Sequence, residues 1–262
     1  MNTVSWHHLL INGGRIEPVD AGSTGALFRL VLPPTCASAY ADAQLDDYTD
    51  ASSARRFMHL PPRRMEIRAR FSSNVLKGTA GFGFWNNPFT QRGDVVEPPC
   101  TVWFFYSSPE SDMRVTRSTA GHGFKAAMLN SYPSTHAAVT GTFNLMTKLG
   151  RPLLNWMLRR RALAGLVLSA ARATVQAREV LLNVDMTAWH IYTLDWQTDQ
   201  ALFMVDGRLV LCAPHPPRKP LGFVAWIDNY RATASGGTRA YEFAYVDVQQ
   251  EQWMEVEIRQ RW

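Results

Sequence analysis

WHIYTLDWQTDQALFMVDGRLVLC, residues 189–212, alternates between two faces and reads as three antiparallel strands. From Trp189 to Trp196, His190, Tyr192, Leu194 and Trp196 share one side and Trp189, Ile191, Thr193 and Asp195 the other. That period of two is what a sheet with one buried face requires. Gln197 to Gln200 is polar and makes a first turn, and Ala201 to Val205 is the second strand. Asp206-Gly207 is a dipeptide that tolerates positive φ at both positions. It predicts a two-residue hairpin turn that fixes the register of the return strand, Arg208 to Cys212.

Other segments carry the same signal. Trp6 to Ile11 and Ala26 to Leu32 read as strands separated by Gly and Pro turns. Arg64 to Phe71 places Met65, Ile67 and Ala69 on one face and runs through Gly78 into TAGFGFWNNPF, Thr79 to Phe89. Leu221 to Tyr230, Ala240 to Val248 and Trp253 to Arg261 read as the closing strands. The chain of 262 residues contains no linker-like tract and no internal repeat, so one domain over 1–262 is expected.

Trp189, His190, Tyr192, Asp195, Trp196, Val205, Asp206, Gly207 and Val210 fit a W-H-x-Y-x-x-(D/E)-W, turn, V-D-G-x-x-V pattern. This resembles a segment of glycoside hydrolase family 16, within the concanavalin A-like lectins and glucanases. Glu66, Arg68, Arg70, Gly78, Phe84 and Trp85 stand where that family has a G-x-x-E-x-R-x-K strand followed by G-x-W-P-A-F-W. The resemblance implies an all-β jelly-roll sandwich of two antiparallel sheets. It also implies a next strand bearing E-x-D-x-E or E-x-D-x-x-E, whose alternate carboxylates cleave glycosidic bonds. Cys100 to Ser107, CTVWFFYS, contains no acid, and Glu97 and Glu110 lie outside it beside prolines. Hydrolysis by the family's mechanism is therefore not expected. The family's closing V-D-Y-V-x-V resembles Phe243 to Val248. Its Asp, which the resemblance links to a structural calcium, falls on Ala244, so no metal is expected there.

Aromatic residues stand in place of the acids. Thr101, Trp103 and Phe105 face one way and Val102, Phe104 and Tyr106 the other, with the choice of face left open. Phe82, Phe84 and Asn86 alternate on the preceding strand. A concave groove of such rings can stack on sugars or enclose an apolar molecule, or it can be filled by its own side chains. Lys125, Asn130, Trp226, Asp228 and Tyr230 are further candidates for its lining. Asp46 and Asp47, in ADAQLDDY, are neighbours and point to opposite sides of a strand. One of them faces the groove, or both sit in a solvated turn. If the chain is an enzyme, Asp46, Asp47 and Asp228 are the candidate acids.

The net charge of +5 is concentrated. Lys148, Arg151, Arg159, Arg160, Arg161, Arg172 and Arg178 oppose only Glu179 between residues 147 and 179, which disfavours nucleic acid as partner of the body. Residues 143–182 read as an insertion of basic amphipathic helix, with Pro152 in a first turn. It is expected to act as a lid over the groove, to lie on an anionic membrane, or to mediate association or be a plain helical excursion. Cys36, Cys100 and Cys212 suit neither a disulfide framework nor a zinc site. The first residues lack a basic start and a long apolar run, so a cytoplasmic location is expected, with peripheral contact to an anionic membrane as an option that the basic segment 147–179 leaves open. No cofactor is indicated.

Three functions remain open. One is a binding protein for a hydrophobic or glycolipid-like molecule. The others are a cyclase, isomerase or hydratase working in the same cavity, and a carbohydrate-binding module.

Overall fold

The computed structural model describes residues 6–19, 26–49, 55–87, 99–116, 118–131, 175–233 and 242–260. Among them the protein is all β. Two seven-stranded antiparallel sheets pack face to face, an arrangement consistent with a jelly-roll sandwich.

The first sheet holds β1 (His7–Ile11), β4 (Asp42–Asp46), β6 (Thr79–Trp85), β7 (Cys100–Ser107), β8 (Gly123–Asn130), β9 (Gln176–Leu181) and β13 (Gly222–Asp228). The second holds β2 (Arg15–Val19), β3 (Ala26–Leu32), β5 (Arg63–Phe71), β10 (His190–Trp196), β11 (Gln200–Val205), β12 (Arg208–Pro214) and β16 (Gln252–Gln260). Their orders are β1-β4-β13-β6-β7-β8-β9 and β12-β11-β10-β5-β16-β3-β2. The chain moves repeatedly from one sheet to the other, so neighbours in space are often distant in sequence.

The 189–212 reading holds in detail. Tyr192 pairs with Val205 and Trp196 with Ala201. Asp206 and Gly207 both have positive φ, 49° and 77°. Tyr192, Leu194 and Trp196 are fully buried between the sheets, as are Met65, Ile67 and Ala69 of β5. Phe82, Phe104, Phe124 and Phe203 join them, with Phe104 and Tyr192 edge to face at 5.1 Å. Burial of each such side chain contributes roughly 1.5–3 kcal/mol.

The outer face of the second sheet is charged. Glu255 of β16 lies between Arg29 and Arg70 of the flanking strands, and Glu257 accepts from Arg68 at 3.1 Å. Trp189 covers the guanidinium groups of Arg68 and Arg70.

Three sequence expectations are corrected. The stretch between the first two expected strands contains β2, which includes Pro18; as an edge strand, β2 can hold a residue with no N–H to donate. β13 stops at Asp228, and after Asn229 the chain enters β14 (Tyr230–Thr233). That strand pairs with β15 (Glu242–Tyr245) as a separate ribbon rather than extending a main sheet. Residues 176–181 of the expected helical insertion form β9, paired along β8. The rest of that insertion up to residue 174 lies outside the described residues.

Candidate functional site

Strand register maps the outer face of the first sheet as a set of transverse rows. One row runs His7, Asp46, Val224, Gly83, Trp103, Ala127 and Glu179 from β1 to β9. The next runs Leu9, Gln44, Trp226, Gly81, Phe105, Lys125 and Leu181. A third begins Ile11, Asp42, Asp228, Thr79 and Ser107. On the same face, beyond the first row, Gly222, Trp85 and Thr101 align.

The rows bring together Trp85, Trp103, Phe105 and Trp226. Trp103 and Phe105 are stacked at 5.2 Å, and Trp85 and Trp226 are parallel to within 3° at 6.1 Å. Trp226 meets Trp103 at 5.1 Å. Phe105 and Trp226 are buried beneath, while Trp85 and Trp103 remain partly exposed. Tyr48, Phe57 and Met113 pack around this cluster from loops that cross the face. The chain's own rings thus fill much of the face and leave two tryptophans presented to solvent.

Glycine makes this possible. A Cβ at Gly83 would lie 2.5 Å from Cα of Trp103, and φ there is +150°. A Cβ at Gly81 would lie 2.4 Å from the carbonyl oxygen of Phe104 and 3.0 Å from the tip of the Trp226 ring. The bare stretch of β6 is the bed on which the neighbouring rings lie.

Both stacked indoles are pinned through their N–H. Trp226 Nε1 donates to Thr79 Oγ1 at 2.9 Å, and that hydroxyl donates to Asp228 Oδ1 at 2.7 Å. Trp85 Nε1 donates to Tyr48 Oη at 3.2 Å. Gln44 Nε2 donates both to that phenol oxygen, at 3.2 Å, and to Asp46 Oδ2, at 3.0 Å. Each indole is held by a relay that ends on a buried carboxylate.

The acids of this face are enclosed. Asp46 is fully buried and accepts from Gln44, from the amides of Tyr48 and Thr49, and from His7 Nδ1 at 3.0 Å. Asp42 and Asp228 stand directly opposite each other on β4 and β13. Asp228 Oδ1 accepts from the Thr79 amide, the Thr79 hydroxyl and the Tyr230 amide. Burial nevertheless pushes its carboxyl up to about 6. Asp42 is raised well above the ordinary carboxylate range, first by burial and then by the charge of Asp228, and its Oδ1 has no hydrogen-bond partner among the described residues.

On the far flank Lys125 and Glu179 form an ion pair at 3.1 Å, both side chains fully buried. Burial lowers the Lys125 pKa, and Glu179 opposes that. Glu179 also accepts from the amides of Val115 and Thr116 and from the Thr116 hydroxyl, which fastens the crossing loop.

The sequence candidates divide accordingly. Trp103, Phe105, Trp226, Asp228, Asp46 and Lys125 lie on this face. Phe82 and Phe84 do not: they are in the inter-sheet core, because the outward phase of β6 is Thr79, Gly81, Gly83 and Trp85. Asn86 is buried and accepts the Cys100 amide at 2.8 Å, tying β6 to β7. Asn130 has the inward phase of β8 and donates to the carbonyl of His215, just past the end of β12 of the other sheet, at 3.0 Å. Asp47 points away from the face; it accepts the Phe223 amide at 2.8 Å and is bonded to His59 at 2.7 Å. Neither Asp46 nor Asp47 is in a solvated turn. Tyr230 stacks on Phe243 in the separate ribbon. Sequence reasoning passed over Asp42, Gln44, Tyr48 and Thr79. The period-two series Asp42, Gln44, Asp46 in DAQLD was the available signal.

The fold and the face together define a two-sheet β-sandwich carrying a pinned aromatic platform on one outer surface. No protein-family model and no curated protein sequence matches the chain. Solved structures similar to it include a GlcNAcα1-4Gal-releasing endo-β-galactosidase from Clostridium perfringens. The TM-score is 0.48 and the identity 12%, over 97% of this chain and 58% of that one. A family 16 glycoside hydrolase of the Bacteroides ovatus mixed-linkage glucan system, solved with a product, is similar at TM-score 0.47 and 8% identity, over 98% and 94% of the two chains. A glycoside hydrolase family protein from Mycobacterium thermorestibile is similar at 0.47 and 12%, over 98% and 93%. The present chain therefore spans little more than half the length of the first of these. The sandwich described above stands on this chain's own strand order and register.

Proposed function

We propose that the outer face of the first sheet binds a glycan-containing ligand, with a sugar ring laid against Trp85 and Trp103. The carrying observation is the ring cluster itself: two partly exposed indoles, backed by Trp226 and Phe105, with two of the indole N–H groups already engaged inside the protein. Such a surface offers π faces and few donors. It suits a pyranose, which has an apolar C–H side and a rim of hydroxyls.

The geometry supports binding over catalysis. Among the described residues, the acids on the strands of this face are Asp42, Asp46, Asp228 and Glu179, and all four side chains are buried, at most 6% exposed. β7, which crosses the centre of the platform, carries Thr101, Trp103, Phe105 and Ser107 in the outward phase and no carboxylate. On this reading the chain is a relative of the family 16 sandwiches that lacks their alternate acids. A cyclase, isomerase or hydratase would need one of the buried acids to reach the ligand.

A second reading has one observation in its favour. Phe57 and Met113 give the platform an apolar border, which suits a glycolipid whose hydrocarbon part continues beyond the sugar. The basic segment 147–179 would then meet the anionic membrane that holds it.

The test is binding to a glycan array and to glycolipid-bearing vesicles, with wild type and Trp103→Ala. Wild type should be retained and the variant lost by at least ten-fold, with its fold intact by circular dichroism. Equal retention of the two proteins would remove the platform from the reading.

A further inference from the structure

Asp228 sits one hydroxyl away from the platform. Its Oδ1 accepts a hydrogen bond from the Thr79 hydroxyl at 2.7 Å, and the same Thr79 oxygen accepts one from the Trp226 indole N–H at 2.9 Å. Trp226 in turn is parallel to Trp85 and in contact with Trp103, so its orientation sets both presented rings. We propose that Asp228 is the positioning residue of the platform, its carboxylate holding Trp226 through Thr79 while Asp42 stays a neutral acid, so that ligand binding weakens when Asp228 is protonated. This regulation rests on the platform being the binding face.

The division of labour between the two acids follows from their partners. Asp228 Oδ1 receives three donors, which favour its charged form. Asp42 Oδ1 receives none among the described residues, so Asp42 is the member that keeps a proton. Two carboxyls directly opposite on neighbouring strands do not both ionise in a buried site.

Other titratable groups face the pair. Tyr40, from the segment before β4, donates to Asp228 Oδ2 at 3.3 Å and also has a hydrogen-bonding interaction with Asp42, so it serves both acids and the assignment rests on the three donors at Asp228 Oδ1. Asp46 lies on the same face of β4 and adds negative potential at Asp42. Tyr230 on β14 feels the Asp228 charge. Ile11 on β1 and Thr79 on β6 flank the row without charge. With burial holding Asp228 up to about 6, its charge changes in mildly acid solution. Above that pH the Thr79 hydrogen bond is charge-assisted. Below it the bond is made to a neutral acid and weakens.

The experiment follows near-UV circular dichroism from pH 4.5 to 8, with retention on a glycan array at pH 5 and 7.5. Trp226→Phe assigns the part of the spectrum that belongs to that ring. Wild type should show a step near pH 6 in that part, with tighter glycan retention on the alkaline side. Asp228→Asn and Thr79→Val should lose the step, and Thr79→Val should weaken binding about five-fold at pH 7.5, as expected for one lost hydrogen bond. Thr79→Ser restores the hydroxyl and should restore both. Asp42→Asn should keep the step, because the titrating group remains. A step that survives in Asp228→Asn or Thr79→Val, or a wild-type spectrum flat across this range, overturns the proposal even if glycan is bound. The step without glycan retention at any pH upholds the relay and removes the binding reading instead.

Discussion

The Lys125–Glu179 pair gives a quantitative test of how the platform's flank is held. Both side chains are fully buried, and breaking such a pair from one side costs roughly 3–5 kcal/mol, because a charge is left without its partner. The two sides are not equivalent. In Lys125→Met, Glu179 keeps the Val115 amide at 2.9 Å, the Thr116 amide at 2.7 Å and the Thr116 hydroxyl at 3.1 Å. Its charge is still solvated by donors, so the loss belongs at the low end, about 3 kcal/mol. In Glu179→Gln, the Lys125 ammonium keeps, among the described residues, the Met113 carbonyl at 3.4 Å and the more distant charge of Asp112, and now faces an amide. That loss belongs at the upper end, about 5 kcal/mol.

The lysine can escape by releasing its proton, which makes the glutamine variant pH-dependent. Its folded pKa falls below the unfolded value near 10.4, so the unfolded chain binds more protons between the two, and stability rises with pH in that window. Guanidinium denaturation of wild type, both single variants and the double variant measures this, with the slope checked for constancy. The double variant removes both charges and should be less damaged than additivity requires, by about 2 kcal/mol or more. Additive losses, or a Lys125→Met variant weaker than Glu179→Gln, would refute the reasoning.

Three other outcomes follow from the same physics. Asp42→Asn should stabilise the protein at pH 8 by at least about 1 kcal/mol, the linkage cost of a carboxyl that folding keeps protonated while the unfolded chain ionises, and change little at pH 3.5. The sign is fixed because a carboxyl raised by folding contributes stability below its unfolded pKa and loses it as pH rises through the folded one; thermal melts at the two pH values check it. Tyr192→Phe removes a buried hydroxyl with no partner among the described residues and should leave stability unchanged or raise it by about 1 kcal/mol in urea titrations. Gly83→Ala should destabilise by at least about 2 kcal/mol and shift the tryptophan near-UV spectrum, since its methyl meets the Trp103 backbone at 2.5 Å.

The sandwich was legible because its signals are local. The alternation through 189–212 and the Asp206-Gly207 turn identify a hairpin without reference to distant residues. The outward phase of β7 was legible only as a choice between two sets, since Trp103, Phe104 and Phe105 are all apolar and aromatic. Only the neighbours resolve it: Phe104 faces Tyr192 and Phe203 in the core, which leaves Trp103 and Phe105 outside. Phe82 and Phe84 were misplaced for the same reason, their bulk masking the more informative glycines at 81 and 83. Asp42 and Asp228 are 186 positions apart in the chain and meet only because β13 returns beside β4. Periodicity carries no information about that pairing. Likewise the polar residues Asn86 and Asn130 looked suited to a ligand, yet each is spent on a backbone group of the fold.

Gly83 and Trp103 occupy one volume between them. Any lineage that acquires a side chain at the first must shrink the second or move a whole strand. The two positions are therefore inherited as a unit, and a descendant sequence that keeps the large ring while substituting the glycine should be rare. The ability to evolve a new surface here lies in the loops that cross the face, not in the strand beneath it.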